Sequence, residues 1–296
     1  LLEVDAFDAR APIADASSTQ EVLNYIRALD HGFRRLAELP VCLRLMKELH
    51  QILMTGVRGD QERPGEFRAV QNFIGSSTRI QEARFVPPPE TELGRCLDEL
   101  ERYINPTADD RHLPELVRLA VIHYQFETIH PFRDGNGRVG RLLIPLILCA
   151  YERLEDPCLY LSPYFERRRT DYTDLMLRVS QTGDFASWVR FFLDGVAESA
   201  RESITRVEAL LDLRRRYHER FQSARSSALL IKLIDALFEQ PSASINRAAA
   251  LLSVTKPSAS ANLKKLVEAG ILVEVTERRR EQRFVAREIL GVAHAE

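Results

Sequence analysis

The stretch that decides the reading is His130-Pro131-Phe132-Arg133-Asp134-Gly135-Asn136-Gly137-Arg138-Val139-Gly140-Arg141, set between two segments of helical apolar periodicity. Gly135, Asn136 and Gly137 are turn-favouring residues directly ahead of a helix, so backbone N–H groups and the positive end of the helix dipole converge on that loop. Such a loop is an anion site. Arg138 and Arg141 lie three apart on the first turn and share a face, two fixed cations that suit a polyphosphate better than a single carboxylate. Asp134 would repel that ligand unless a cation such as Mg²⁺ bridges them. His130 lies at the rim, where a neutral imidazole takes a proton from an incoming hydroxyl near pH 7. Together these parts describe attack of a hydroxyl on a nucleotide phosphate, with positioning and charge stabilisation supplying most of the rate.

Outward from this segment the chain reads as mainly α. Val22, Ile26, Leu29, Phe33 and Leu36 recur at spacings of four and three behind a capping-box pattern, Ser18 with Glu21, and Leu45, Leu49, Ile52 and Leu53 mark a second helix after Pro40. Further helical patterns run over Glu90 to Ile104, Leu113 to Thr128, Asn136 to Tyr151, Tyr164 to Val179 and Ala186 to Phe221. Trp188, Phe191 and Phe192 on the last of these read as core. Between Asn72 and Pro87 the pattern changes: Asn72 to Gly75 and Ala83 to Val86 are short extended segments around a polar turn, which predicts a β-hairpin. The resulting division is an arm over 1–17, a helical subdomain over 18–66, a core over 67–222 with its hairpin at 72–87, and a small domain over 226–296.

Composition bounds the alternatives. The 296 residues are 45% hydrophobic and 28% charged with a formal net charge of -2, so a nucleic-acid surface would have to be local. Cys42, Cys96, Cys149 and Cys158 form no CxxC pair, which suits reduced thiols in a cytoplasmic protein and argues against zinc. The run Leu142 to Tyr151 is too short to span a bilayer and reads as a buried helix, so no membrane partner is expected.

The segment matches, position for position, HPFx(D/E)GN(G/K)RxxR, and in this the chain resembles the Fic family. Phe126 to Ile129 ahead of the histidine, the 72–87 hairpin and Tyr160 to Tyr172 extend the resemblance over about residues 18 to 220. The resemblance implies a Fic-type helical core and transfer of AMP from ATP to a Ser, Thr or Tyr hydroxyl of a protein, self-modification included. His130 is then the base, Asp134 holds Mg²⁺, Asn136 with the amides of Gly135 and Gly137 cradles phosphates, and Arg138 and Arg141 hold the outer phosphates. Phe132 is an inward anchor. The hairpin resembles the family's flap, which makes Ile74, Gly75 and Val86 candidates for target or nucleotide contact. Tyr172 stands where the family places an aromatic near the adenine, or simply packs a helix. Gly137 in place of Lys is the pattern of AMP-transferring members. Many relatives carry an inhibitory (S/T)xxxE(G/N) helix; Ser17 to Glu21 has its spacing, but Val22 follows where Gly or Asn belongs, so the resemblance places that element upstream of Leu1.

From Ser226 three compact helical segments precede the β-rich Ile271 to Ala286, an order similar to winged helix-turn-helix domains. Between Arg247 and Arg287 nine basic residues face four acidic ones. Lys256, Ser258, Ser260 and Asn262 on the second helix and Arg278, Arg279 and Arg280 in the turn are candidates for DNA contact. Two functions therefore stand. One is a protein adenylyltransferase with an accessory domain; the other is a DNA-binding regulator whose Fic part only senses nucleotide. A homodimer is compatible with either.

Overall fold

The computed structural model describes residues 16–75, 79–107, 112–221, 227–275 and 282–293. The chain divides into two compact units, Leu1–Ser199 and Ala200–Glu296. The first contains α1 (Ala16–Arg35), α2 (Leu43–Met54), a 3₁₀ turn (Ile80–Glu82), α3 (Glu90–Ile104), α4 (Glu115–Ile129), α5 (Asn136–Ala150), α6 (Ser162–Arg167), α7 (Arg169–Thr182) and the start of α8 (Phe185–Phe221). Its centre is α5. Every side chain from Leu142 to Leu148 is buried, as a helix apolar on all sides requires, and α1, α2 and α4 pack around it. Trp188 and Phe192 of α8 are fully buried, with the indole N–H donating to the Ala120 carbonyl at 2.8 Å. No helix among the described residues is long and apolar enough to cross a membrane.

Three local expectations change. First, α1 begins at Ala16, so Ser18 lies inside the helix rather than at its cap. Its buried side is Asn24, Ala28 and Gly32, while Val22 and Ile26 are exposed. The reason is hydrogen-bonding and close approach: the Asn24 amide donates to the Leu53 and Thr55 carbonyls at 3.2 and 2.7 Å, satisfying groups at the end of α2, and small Ala28 and Gly32 let the backbones come together. Second, the expected hairpin is reduced to one antiparallel bridge. Ile74 and Phe85 exchange N–H···O bonds of 2.8 and 3.1 Å. Prolines 87 to 89 have no N–H with which to continue a ladder, and the returning segment coils as a 3₁₀ turn over Ile80–Glu82. Residues 76–78 at its tip lie outside the described residues. Third, the helix expected over Tyr164 to Val179 breaks into α6 and α7 at Arg168, whose guanidinium sits over the Tyr164 ring and pairs with Glu198 of α8.

The second unit combines the end of α8 with α9 (Ser227–Glu239), β1 (Ser242–Ser244), α10 (Ile245–Leu252), α11 (Lys256–Glu268), β2 (Val273–Glu274), β3 (Arg283–Val285) and α12 (Arg287–Ala293). The sheet is antiparallel in the order β1-β3-β2, with Val285 opposite both Ser242 and Val273. Its core joins Leu213 and Tyr217 of α8 to Ile234, Leu263, Leu266, Phe284 and Ile289. Neither β1 nor α12 was foreseen, because three and seven residues are too few to show a period. Asn262 is also corrected: it is buried, and its Nδ2 donates to the Ser258 carbonyl at 2.9 Å, so it faces the domain rather than a ligand. Arg278, Arg279 and Arg280 lie outside the described residues.

Candidate active site

The loop from His130 to Gly135 joins the C-terminus of α4 to the N-terminus of α5. His130 caps α4 in the left-handed region (φ 51°, ψ 60°), and its N–H closes on the Phe126 carbonyl at 3.1 Å. A non-glycine residue there is strained and persists only if its surroundings hold it. They do so through its carbonyl, which accepts from Arg68 Nε at 3.0 Å and Asn72 Nδ2 at 3.3 Å. The Arg68 side chain is buried and also donates to the Val70 and Pro88 carbonyls, at 3.2 and 2.6 Å, while its backbone N–H reaches the Pro131 carbonyl at 2.8 Å. Arg68 therefore ties both ends of the 72–87 segment to the His130–Gly135 loop.

The imidazole orientation follows from donor chemistry. His130 Nδ1 lies 3.1 Å from the Glu127 carbonyl, which can only accept, so Nδ1 carries the proton and Nε2 keeps its lone pair. Burial, opposed by that hydrogen bond and reinforced by the Arg68 charge, brings the ring down to about 4. His130 is therefore neutral at pH 7 with a basic nitrogen available. It lines a cleft together with Gly137, Arg141, Ile74, Phe85 and Tyr172.

The α5 end of the loop is equally constrained. Gly135 caps the helix at φ 75°, where a Cβ would also meet Met54 Sδ at 2.6 Å. The Asp134 carboxylate accepts from the Gly135 N–H at 2.6 Å. Asn136 braces the loop: Oδ1 accepts from the Phe132 N–H at 2.8 Å and Nδ2 donates to the Phe132 carbonyl at 2.9 Å. One bond at each end of the amide closes the loop on itself and holds the turn. Arg138 is 5% exposed, and Arg141 lines the cleft. Phe132 is fully buried, stacked on His50 at 3.8 Å between centroids.

His50 was missed by sequence reasoning. Its Nδ1 accepts from the Gly65 N–H at 2.8 Å, so its protonated Nε2 donates to the Asp134 carbonyl at 3.0 Å. Burial is the main reason that its pKa falls to about 4. Gly59 was missed too, for a Cβ there would sit 2.5 Å from Asp134 Oδ2. Tyr172 lines the cleft and also packs: its hydroxyl lies 3.0 Å from His123 Nε2 and its ring 4.9 Å from Phe165. Burial, with Glu127 close by, raises that hydroxyl well above its ordinary value. Of the flap candidates, Ile74 reaches the cleft, Gly75 is buried against the Arg84 backbone, and Val86 is exposed outside it. Arg84 of the flap pairs with Asp174 of α7.

Among the described residues no cluster of three His, Cys, Asp or Glu could hold a metal. Mg²⁺ does not require one, because it is commonly bound by one or two carboxylates plus phosphate oxygens and water. Asp134, fixed at the cradle, fits as that single carboxylate.

An anion cradle at a helix N-terminus, an arginine and a neutral imidazole in one cleft define a class of site that can hold a phosphate beside a base. The comparisons agree: residues 40–148 match the Fic/DOC family. It is 31% identical over 155 residues to the protein adenylyltransferase Fic of Culex quinquefasciatus, an alignment covering 52% of this chain and 27% of that protein. With the same enzyme of Drosophila grimshawi the identity is 30% over 159 residues, 53% of this chain and 29% of the relative. The chain thus spans under a third of the length of these curated relatives. Its fold is similar to that of a Fic family protein from Desulfovibrio desulfuricans G20, with a TM-score of 0.54 and 22% identity over 93% of this chain and 76% of that one. A Fic domain containing signaling protein from Bacteroides thetaiotaomicron gives 0.52 and 20% over 66% of this chain and 75% of its own.

Proposed function

We propose that this chain is a protein adenylyltransferase that moves AMP from ATP to a Ser, Thr or Tyr hydroxyl, its own residues included. The observation that carries the reading is the tautomer of His130. With Nδ1 committed to the Glu127 carbonyl, Nε2 is a neutral acceptor in the cleft that also holds Arg141 and the start of α5. It takes the proton of the target hydroxyl as that oxygen attacks the α-phosphate and pyrophosphate leaves. The Gly135 to Gly137 amides and Arg141 stabilise charge on the phosphates. Asp134 would hold Mg²⁺, which when bound neutralises phosphate charge. Ile74, Phe85 and Tyr172 offer an apolar wall for the base. A regulator that only sensed nucleotide would need the cradle and the arginine but no oriented base, which favours transfer.

The test is incubation with Mg²⁺ and ATP labelled on the α- or the γ-phosphate, with His130→Ala as control. Protein-bound label from the α position alone, absent in the variant, is the expected result. Transfer from the γ position, or α label undiminished in His130→Ala, would sink the reading.

For the second unit we propose a winged helix that binds DNA. The order α9-β1-α10-α11-β2-β3 and the antiparallel sheet support the first part. Exposed Lys256, Lys264 and Lys265 on α11, with Arg247 on α10 and partly exposed Ser258 and Ser260, support the second. Binding to duplex DNA should weaken steeply with salt, and Lys264→Glu with Lys265→Glu should abolish it. Binding unchanged by that pair would assign α11 another partner.

A further inference from the structure

The helix α8 carries apolar residues on two faces. One, with Leu213 and Tyr217, is buried in the core of the second unit. The other carries Ile204, Val207 and Leu211, which are 58%, 53% and 57% exposed. One exposed aliphatic residue needs no explanation, but three large ones aligned on a helix do. Their spacing of three then four is that of a coiled-coil seam, and Ala200 continues it one step towards the N-terminus.

The charges beside that stripe specify what covers it. Arg201 and Glu208 both flank the same side of the seam, both are exposed, and neither has an ion-pair partner among the described residues. They are seven residues apart, about 10 Å along the helix, too far to pair with each other. The series extends at the same interval to Asp194 and Arg215, so the signs alternate along one edge. A second α8 laid antiparallel, with the two-fold axis between Thr205 and Arg206, sets Ile204 level with the other copy's Val207 and brings each Arg201 within side-chain reach of the other copy's Glu208. The outer Asp194 and Arg215 meet in the same way, although Arg215 also pairs with its own Asp212 at 3.0 Å. In a parallel pair these edge positions would face Ser203 and Leu210, which carry no charge, and Arg201 would lie level with Arg201.

We propose that the Ile204/Val207/Leu211 face of α8 is a homodimer interface, formed by a second copy of this chain in antiparallel orientation and aligned by reciprocal Arg201–Glu208 pairs. The inference is independent of the transfer chemistry proposed for the cleft. Three large residues over about two turns cover less than the roughly 800 Å² per partner of a standard interface, so the dimer is weak and concentration-dependent.

Sedimentation velocity of the full chain from about 1 to 500 µM tests it. A monomer–dimer equilibrium is expected, and Val207→Glu should leave monomer throughout. Arg201→Glu or Glu208→Arg alone should weaken the dimer about tenfold, since each turns two attractive pairs into repulsive ones. The double variant Arg201→Glu/Glu208→Arg should restore the parent affinity, which only cross-chain pairing of these two residues can do. Far-ultraviolet circular dichroism shows that each variant keeps its helices, as substitutions at exposed positions should. A chain monomeric at every concentration, a dimer indifferent to Val207→Glu, or charge reversals that fail to compensate would each overturn the proposal.

Discussion

At the scale of single residues, the site depends on two neutral histidines whose tautomers are set by backbone groups. His130 donates through Nδ1 to Glu127 and keeps Nε2 basic. With its pKa brought down to about 4, the ring should stay neutral across the neutral range, which is the base form that the proposed transfer requires. The acid limb of kcat/KM should therefore fall near pH 4 to 5, with a plateau already reached by about pH 6. A midpoint near 6.5, that of an unperturbed imidazole, would show that burial does not control this group. His50 is a positioning residue, bridging the Gly65 N–H to the Asp134 carbonyl beneath the Phe132 ring. His50→Ala should cost about 2–4 kcal/mol of stability through lost packing and two unmatched backbone groups, read from urea midpoints. His50→Gln keeps an acceptor and a donor and should recover part of that loss; equal stability of the two variants would mean that only ring volume matters.

At the scale of elements, the His130–Gly135 loop is held from outside its own helices. Arg68 lies 62 residues before His130 in sequence, yet its guanidinium gathers the carbonyls of His130, Val70 and Pro88. Replacing it with Met keeps much of the volume and removes every donor. The expected cost is about 3–5 kcal/mol, with transfer reduced more than stability alone explains because the flap loses its root. Urea unfolding and kcat/KM of the same preparation decide it; unchanged unfolding would mean that water replaces the guanidinium.

The same contrast explains what the sequence made legible. His130, Asp134, Gly135 and Phe132 could be placed because cap, turn and anchor are local and are written within a dozen residues. Arg68, Gly59 and His50 could not, because their partners lie 62 to 84 residues away and an isolated Arg, Gly or His announces nothing. Periodicity located α1 but misassigned its face, since it counts apolar residues and cannot see that Asn24, Ala28 and Gly32 offer hydrogen bonds and closeness instead. The flap was read from β-propensity, and its prolines limited the ladder to the Ile74–Phe85 bridge.

At the scale of the whole molecule, the first unit should be sensitive to mild acid. His50 and His130 are lowered to about 4 and His123 to about 3, in each case chiefly by burial. In the unfolded chain all three return to about 6.5, so below that pH the unfolded state binds more protons than the folded one. Their contribution to stability is fully present above about pH 6.5 and is lost as the pH falls towards 4, with a slope approaching three protons, about 4 kcal/mol per pH unit. Glu48, lowered to about 2 by Arg35 first and then His31 and Arg44, acts in a separate window, because stability from a depressed carboxylate is lost only below about pH 4.5. Loss between pH 6.5 and 4.5 therefore belongs to the histidines. Urea unfolding of the full chain at half-unit steps from pH 7.5 to 4.5, followed by Trp188 fluorescence, should show this decline, and His50→Gln should reduce its slope by about one proton. A flat profile over that window, or an unchanged slope in His50→Gln, would mean that water reaches these rings and that the folded loop tolerates their charge.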